Sequence, residues 1–192
     1  MRTDILSFVL ASENRKEIAK ALFEYPKRQW SCTAVEETTK LPHATVFRAL
    51  KGLTYFCILK QVKINKKDII YELASSVLAA ELKRAINIDK IAARSIAMEF
   101  ASKIKHQASS IVLYGSSVKG GLKPESDIDI LVVANKAYRK DIFDAAAGIS
   151  IKSNRTISPV IVDRKELNKE KKSQFMRSVK ENMEVLYGKK PF

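Results

Sequence analysis

The stretch LYGSSVKGGLKPESDIDILVV, residues 113–133, decides how the second half of this chain folds. An apolar run rich in β-branched residues, 111–114, leads into it, and a second such run, 128–133, closes it. Runs of this kind predict two buried strands. Glycines, serines and a proline lie between them and predict a tight turn followed by a loop.

Two features of this stretch indicate a site for phosphate and metal. The turn Gly115-Ser116-Ser117 brings backbone without Cβ bulk, together with hydroxyl groups, to the end of a strand, where phosphate oxygens can approach closely. Asp127 and Asp129 lie two residues apart at the next strand, so the alternation of a strand places both carboxylates on one face. Paired carboxylates suit Mg2+, whose remaining ligands are water and substrate phosphates.

The spacing of these groups resembles the signature of the polymerase-beta-like nucleotidyltransferases, especially their minimal archaeal and bacterial members. Gly115-Ser116 is followed, after ten residues, by the acid pair Asp127 and Asp129. The resemblance covers residues 109–188. It implies that Gly115 and Ser116 hold the triphosphate of an NTP, and that the two aspartates are catalytic and bind Mg2+ or Mn2+.

The same resemblance extends to other positions, with one departure. Ser117 and Lys119 are further candidates for phosphate contacts, although the minimal members usually carry arginine at the position of Lys119. The family places a third carboxylate on a later strand, where it completes the metal site and accepts the proton of the attacking hydroxyl. Here Ser158, in the predicted strand 157–162, stands at that position, and serine is not a base at neutral pH. Asp163, five residues further on, points to the other face of a regular strand.

Residues 1–74 predict a small helical domain with a hairpin. Apolar residues at helical spacing predict a helix that starts after Ser12, a second over residues 33–39 and a third that starts at His43. The buried stripe expected for the third helix consists of Ala44, Val46, Phe47, Leu50 and Leu53. Alternating runs at 58–64 and 69–73 predict a hairpin with a basic tip.

This order of elements resembles the winged helix-turn-helix of bacterial and archaeal transcription regulators. The resemblance implies that the third helix lies in the DNA major groove and that the hairpin contacts the DNA backbone. The candidate DNA-binding residues are His43, Thr45, Arg48, Lys51, Lys63, Lys66 and Lys67. A domain of this shape could also bind protein, and a homodimer that reads two half-sites is a hypothesis of the same kind.

The predicted fold class is α+β. A winged helix-turn-helix domain (1–74) is followed by a helical connector (75–107) and by a nucleotidyltransferase-like domain with a mixed sheet (108–192). The connector is expected to contain two helices, and residues 164–187 are expected to form one long basic helix.

Net charge, cysteine content and the length of apolar runs limit the possible binding partners, metal sites and location of the protein. The net charge is +14 at neutral pH, so nucleic acid and other polyanions are expected partners. The two cysteines and two histidines show no zinc-ligand spacing along the chain, which predicts reduced thiols and no zinc site. The apolar run 5–10 is too short for a signal peptide, and no run is long enough to span a membrane. We expect a cytoplasmic protein without membrane contact.

Three functions are compatible with the sequence. The first is a DNA-binding protein that binds an NTP with magnesium and transfers its NMP to a hydroxyl acceptor. The second is a non-enzymatic transcription regulator whose nucleotidyltransferase domain is degenerate. The third, implied by the resemblance, is an antitoxin-like modifier of a helical, toxin-like partner protein. The sequence selects neither the acceptor nor the base of the nucleotide.

Overall fold

The computed structural model describes residues 4–64, 69–119 and 126–192, and describes Lys119 by its backbone only. The chain divides into two compact units, Met1–Asn87 and Ile88–Phe192. Both helices and sheets occur, and the larger sheet contains parallel and antiparallel pairs, so the predicted α+β class with a mixed sheet is confirmed. In the described parts of the chain, every helix is too short or too polar to cross a membrane.

The first unit combines helices with a two-stranded antiparallel hairpin. Its described elements are α1 (Ile5–Leu10), α2 (Glu13–Glu24), α3 (Cys32–Thr39), α4 (His43–Tyr55), β1 (Leu59–Lys63), β2 (Ile69–Leu73) and α5 (Val77–Ile86). Trp30, which is completely buried, pairs through its backbone with Tyr71 of β2 and so attaches the hairpin to the helices. The predicted basic tip, with Lys66 and Lys67, lies outside the described residues.

The third predicted helix is observed as α4, but its buried face is rotated from the predicted one. Val46, Ala49, Leu50 and Leu53 are buried, as the spacing of a helix requires for residues that share one face. Ala44 is exposed, and Phe47 retains 43% of its accessible surface. The prediction that these two residues lie in the core was therefore wrong.

The second unit is built on a four-stranded sheet with the order β5-β4-β3-β6. Its described elements are α6 (Ile88–Ile104), β3 (Ala108–Tyr114), α7 (Ser116–Lys119), β4 (Ile128–Ala134), a 3-10 helix (Lys136–Tyr138), α8 (Arg139–Ser153), β5 (Ile157–Val162), α9 (Arg164–Glu170), α10 (Gln174–Glu181) and β6 (Met183–Gly188). Strand β4 runs parallel to β5 and antiparallel to β3.

Alternation along the central strands builds a core on each face of this sheet. Ile111, Leu113 and Ile130 pack on one face with residues of α6 and α8. Val112 and Leu131 point to the opposite face and pack with residues of α9 and α10. Because both faces are covered, the strands read as continuous apolar runs in the sequence.

One sequence expectation for the helices differs from the structure. The single helix predicted over 164–187 is wrong, because α9 and α10 are separate and Met183–Gly188 is a strand that pairs with β3. Asp163 and Ser173 cap the two helices, so each helix begins anew. The two connector helices belong to different units, since α5 packs in the first core and α6 in the second.

Candidate active site

Gly115 turns the chain sharply at the end of β3 and leads directly into the short helix α7. Its φ is +75°, a value that L side chains rarely adopt. A Cβ atom at this position would lie 2.6 Å from Oδ2 of Asp129, closer than real Cβ atoms approach any atom. The glycine is therefore needed both for the turn and for the close approach of the backbone to the carboxylate.

Asp127 and Asp129 flank the start of β4, with the buried Ile128 between them. Asp127 is exposed and Asp129 is partly buried. Burial, and next the negative charge of Asp127, raise the pKa of Asp129 above the usual range of an aspartate. The pair therefore carries an electrostatic cost that a bound cation would offset.

Ser158 lies beside this pair because β5 runs parallel to β4. Its Cα is the partner of Asp129 in the strand register. Its Oγ donates a hydrogen bond of 2.7 Å to Oδ2 of Asp127. Asp163 instead caps α9 and accepts hydrogen bonds of 2.8 Å from the backbone of Lys165 and Glu166. The carboxylate of Asp163 is therefore the N-cap of α9.

The donors at this edge fit a divalent cation of the magnesium class. Two carboxylates supply hard oxygen ligands, and water or phosphate can complete the coordination. The chain supplies no third acid here within the ranges 4–64, 69–119 and 126–192, because the groups of three possible metal ligands found in them do not include Asp127 or Asp129. Such a cation would be held by Asp127 and Asp129.

The serines of the turn differ in accessibility. Ser116 is partly exposed at the start of α7, whereas Ser117 is completely buried. The Oγ of Ser117 has no hydrogen-bond partner among the described residues. The side chain of Lys119 lies outside what the structure describes. Of these three candidates, only Ser116 offers a described side chain at the surface.

An open groove of about 610 Å³ is lined by Asp129 and by residues of β5. Tyr114 and Ser158 also line it, together with the apolar residues Phe143 and Ile151 of α8. Burial, and next the charge of Asp129, raise the pKa of Tyr114 to about 12, so its hydroxyl stays protonated at neutral pH. Residue spacing contains no direct signal for this groove, because its walls come from separate elements.

Of the predicted DNA-binding residues, those that the structure describes fall on α4 and β1 of the first unit. His43, Arg48 and Lys51 are exposed on α4, Thr45 is half-buried, and Lys63 is exposed on β1. Two aromatic residues that the sequence prediction did not include share this surface of α4. Phe47 and Tyr55 retain 43% and 81% of their accessible surface, and both line a shallow pocket with Lys51. Phe47 and Tyr55 each lie four residues from Lys51, so they share its face of the helix, and this spacing could have identified them from the sequence.

Comparison with known proteins agrees with the geometry of the second unit. The family described as nucleotidyltransferase domain matches residues 94–186. A protein of Methanocaldococcus jannaschii that is named a protein adenylyltransferase is 31% identical over 86 residues, which are 45% of this chain and 85% of that protein.

Two solved structures show a weaker likeness. A "possible transcriptional regulator" from Methanosarcina mazei Go1 has a TM-score of 0.36 and 21% identity, over 53% of this chain and 83% of the other. A toxin-antitoxin crystal structure with AMP-PNP has a TM-score of 0.35 and 18% identity, over 50% and 74%. With TM-scores this low, neither likeness bears on the function of this chain.

Proposed function

Because the chain belongs to the nucleotidyltransferase domain family, we propose that its second unit binds an NTP with a divalent metal and transfers the NMP moiety to a hydroxyl. The close approach of Gly115 to Asp129 carries this proposal, since it joins a turn suited to phosphate with a carboxylate suited to metal. The relative named a protein adenylyltransferase supports ATP as the donor and a protein side chain as the acceptor.

In this reaction the oxygen of the acceptor hydroxyl forms a bond to the α-phosphorus, and the bond from that phosphorus to the pyrophosphate oxygen breaks. Pyrophosphate leaves, and the proton of the hydroxyl passes to solvent. Gly115 and Ser116 orient the triphosphate through backbone and hydroxyl donors. The groove along β5 leaves room for a substrate beside Asp129.

The metal, held by Asp127 and Asp129, would offset the charge that develops on the phosphate oxygens. Ser158 acts as a positioning residue, because its hydrogen bond fixes one carboxylate oxygen of Asp127. A serine in place of a third acid removes the general base that the family resemblance implies. We therefore expect turnover to be slow, and a nucleotide-binding regulator without turnover is the alternative.

The first unit favours DNA as a partner. Helices α2, α3 and α4 and the hairpin follow the order of a winged helix-turn-helix, and α4 presents Arg48 and Lys51 on its exposed face. The net charge of +14 supports a polyanionic partner. We propose that α4 contacts DNA and that Lys63 on β1 contacts its backbone.

The transfer reaction is tested with α-labelled ATP, CTP, GTP and UTP in Mg2+ or Mn2+, with the full chain, RNA, DNA and a protein lysate as acceptors. We expect label transfer that is lost in Asp127→Asn/Asp129→Asn. The matched control is Asp141→Asn/Asp144→Asn, which makes the same chemical change at two exposed aspartates of α8. Transfer that survives in the first double variant would refute the assignment of the acid pair.

The Ser158→Asp variant separates a slow enzyme from a pure regulator. A carboxylate at this position can serve as a base, so turnover should rise by roughly 10²- to 10⁴-fold. Ser158→Ala, which only removes the hydrogen bond to Asp127, should show no such gain. Nucleotide binding without transfer in the wild type and in Ser158→Asp would favour the regulator.

A further inference from the structure

Three side chains of different chemistry meet between α3 and α4 in the first unit. The Nδ1 atom of His43 lies 2.6 Å from Oε1 of Glu36 and 3.7 Å from Sγ of Cys32. One ligand atom from each of the three residues lies within 4.8 Å of the others. This cluster is separate in the chain from the acid pair of the second unit and has no role in the proposed transfer.

The fold holds these three residues together through ordinary helix geometry. Cys32 and Glu36 are four residues apart on α3, so they share one face of that helix. Lys40 ends α3 in the left-handed conformation, with φ of +58°, and the chain then reverses. Pro42 precedes α4, and His43 is the first residue of that helix. The turn thus brings an imidazole back to the start of the preceding helix.

The buried contact between α3 and α4 holds the backbone positions of the three residues of the cluster. Val35 and Val46 are completely buried in the core that these helices share. The side chain of Glu36 is 25% exposed and that of His43 is 69% exposed. The cluster therefore has a fixed base and an open outer side, where a cation could enter and a water molecule could complete its coordination.

From this arrangement we propose that Cys32, Glu36 and His43 bind a divalent cation of the zinc class. Sulfur, imidazole nitrogen and carboxylate oxygen are the donors that Zn2+ prefers, and three protein ligands leave a fourth position open. Mg2+ and Ca2+ are disfavoured at this site, because they select oxygen ligands alone.

The distances in the cluster fit a tetrahedral ion after a small adjustment. Tetrahedral angles and ordinary zinc-ligand bond lengths place sulfur and nitrogen about 3.6 Å apart, and nitrogen and carboxylate oxygen about 3.3 Å apart. The first value matches the 3.7 Å between Cys32 and His43. The second requires His43 and Glu36 to separate by about 0.7 Å from their hydrogen-bonded distance, which the exposed side chain of His43 allows.

A reactive cysteine is the main alternative use of such a cluster. Burial, and next the hydrogen bond and charge of Glu36, raise the pKa of the Cys32 thiol to about 12. Without a metal such a thiol is a poor nucleophile, whereas a bound cation would displace its proton and hold it as a thiolate. The nearer partner of the His43 imidazole is Glu36, at 2.6 Å against 3.7 Å for the sulfur of Cys32, so the cluster differs from a catalytic Cys-His pair.

Titration of the full chain with Co2+, followed by displacement with Zn2+, tests the proposal. A cysteine thiolate on Co2+ gives a charge-transfer absorption that oxygen and nitrogen ligands do not give. We expect one equivalent of Co2+ to produce this absorption and Zn2+ to abolish it. The Asp127→Asn/Asp129→Asn variant, which lacks the acid pair of the second unit, should give the same result.

The chain supplies its own matched control, because it contains two cysteines and two histidines. Cys57→Ser/His106→Gln removes the other thiol and the other imidazole and should retain the absorption and the Zn2+ affinity. Cys32→Ser should lose the absorption. His43→Gln and Glu36→Gln should each weaken binding by about a hundredfold or more.

Two results would overturn the proposal. One is a wild-type chain that gives no thiolate absorption with Co2+. The other is an absorption that disappears in Cys57→Ser/His106→Gln. Should Cys32→Ser fail to fold, the control variant still decides, because Cys32 is the one thiol that remains in it.

Discussion

The two units of this chain each carry a cluster of possible metal ligands, and the clusters are assembled in different ways. Asp127 and Asp129 flank Ile128, the first residue of β4, and Ser158 of the neighbouring strand joins them through the strand register. Cys32 and Glu36 meet His43 only because a turn reverses the chain between two helices. Ligands that lie two residues apart at a strand can be predicted from their spacing in the sequence. Ligands that a turn brings together from two helices can be identified only when the fold is known.

The clusters also differ in their charge balance. In the second unit, burial and the neighbouring Asp127 raise the pKa of Asp129. In the first unit, the hydrogen bond from His43 comes first among the causes that hold the pKa of Glu36 below its usual range. Without a cation, the acid pair is therefore under electrostatic strain, whereas Glu36 is satisfied by its neighbours. If both clusters bind a cation as proposed, we expect the larger stabilisation at the acid pair.

The largest expected effect comes from Gly115→Ala. The new Cβ would lie 2.6 Å from Oδ2 of Asp129, so either the turn or the carboxylate must move. A shift of this size should slow pyrophosphate release about a hundredfold and reduce the free energy of unfolding by about 1 to 2 kcal/mol.

Gly148→Ala is the control for that variant. Gly148 lies within α8, and a Cβ there meets nothing within 4 Å. Alanine should therefore leave turnover unchanged and stabilise the chain by about 0.5 to 1 kcal/mol. Equal rates in the two glycine variants would show that the turn at Gly115 does not position the acid pair.

A smaller effect is expected for Arg48→Ala/Lys51→Ala, which tests whether DNA binds to the exposed face of α4. Loss of two phosphate contacts should weaken DNA binding about tenfold and lower the slope of log affinity against log salt by about 2. Fluorescence anisotropy with labelled duplex DNA at several salt concentrations measures both.

Lys83→Ala/Arg84→Ala removes the same two charges from the exposed side of α5 and is the matched control. It should change DNA affinity much less than the α4 variant. An equal loss in both variants would indicate that net charge, rather than the face of α4, determines binding.

The smallest effect is expected for Asp129→Asn in metal-free protein. Folding raises the pKa of Asp129, so the folded state binds this proton more tightly than the unfolded state. The wild type is therefore penalised once the pH rises through the folded pKa, and the penalty is absent below about 3.9, the usual pKa of an aspartate. At neutral pH the variant should be more stable by less than about 1 kcal/mol, because solvent screens a partly buried charge.

Thermal unfolding in a chelator at neutral and acidic pH measures this difference. Addition of Mg2+ should stabilise the wild type and not the Asp129→Asn variant. A variant that is less stable than the wild type at neutral pH, in the chelator, would contradict the electrostatic strain assigned to the acid pair.

Much of the fold could be predicted from the pattern of apolar and polar residues in the sequence. The strand Ile157–Val162 was predicted with its observed bounds, and α4 was predicted to start at His43, as it does. The strand Met183–Gly188 was missed, because its pairing partner β3 lies far away in the chain. Phe47 was placed in the core because it is apolar, but a helix buries the face that its neighbours offer, and Phe47 lies beside that face.

The sequence by itself determined the acid pair, the glycine turn and the strands that carry them, because strand alternation acts over two residues and needs no distant partner. Only the tertiary structure decided that Ser158 binds Asp127, since that contact depends on the parallel register of two strands. It also decided that Cys32, Glu36 and His43 meet. Contacts between separate elements depend on packing and on the conformation of the connecting turn. Residue spacing in the sequence predicts neither of these.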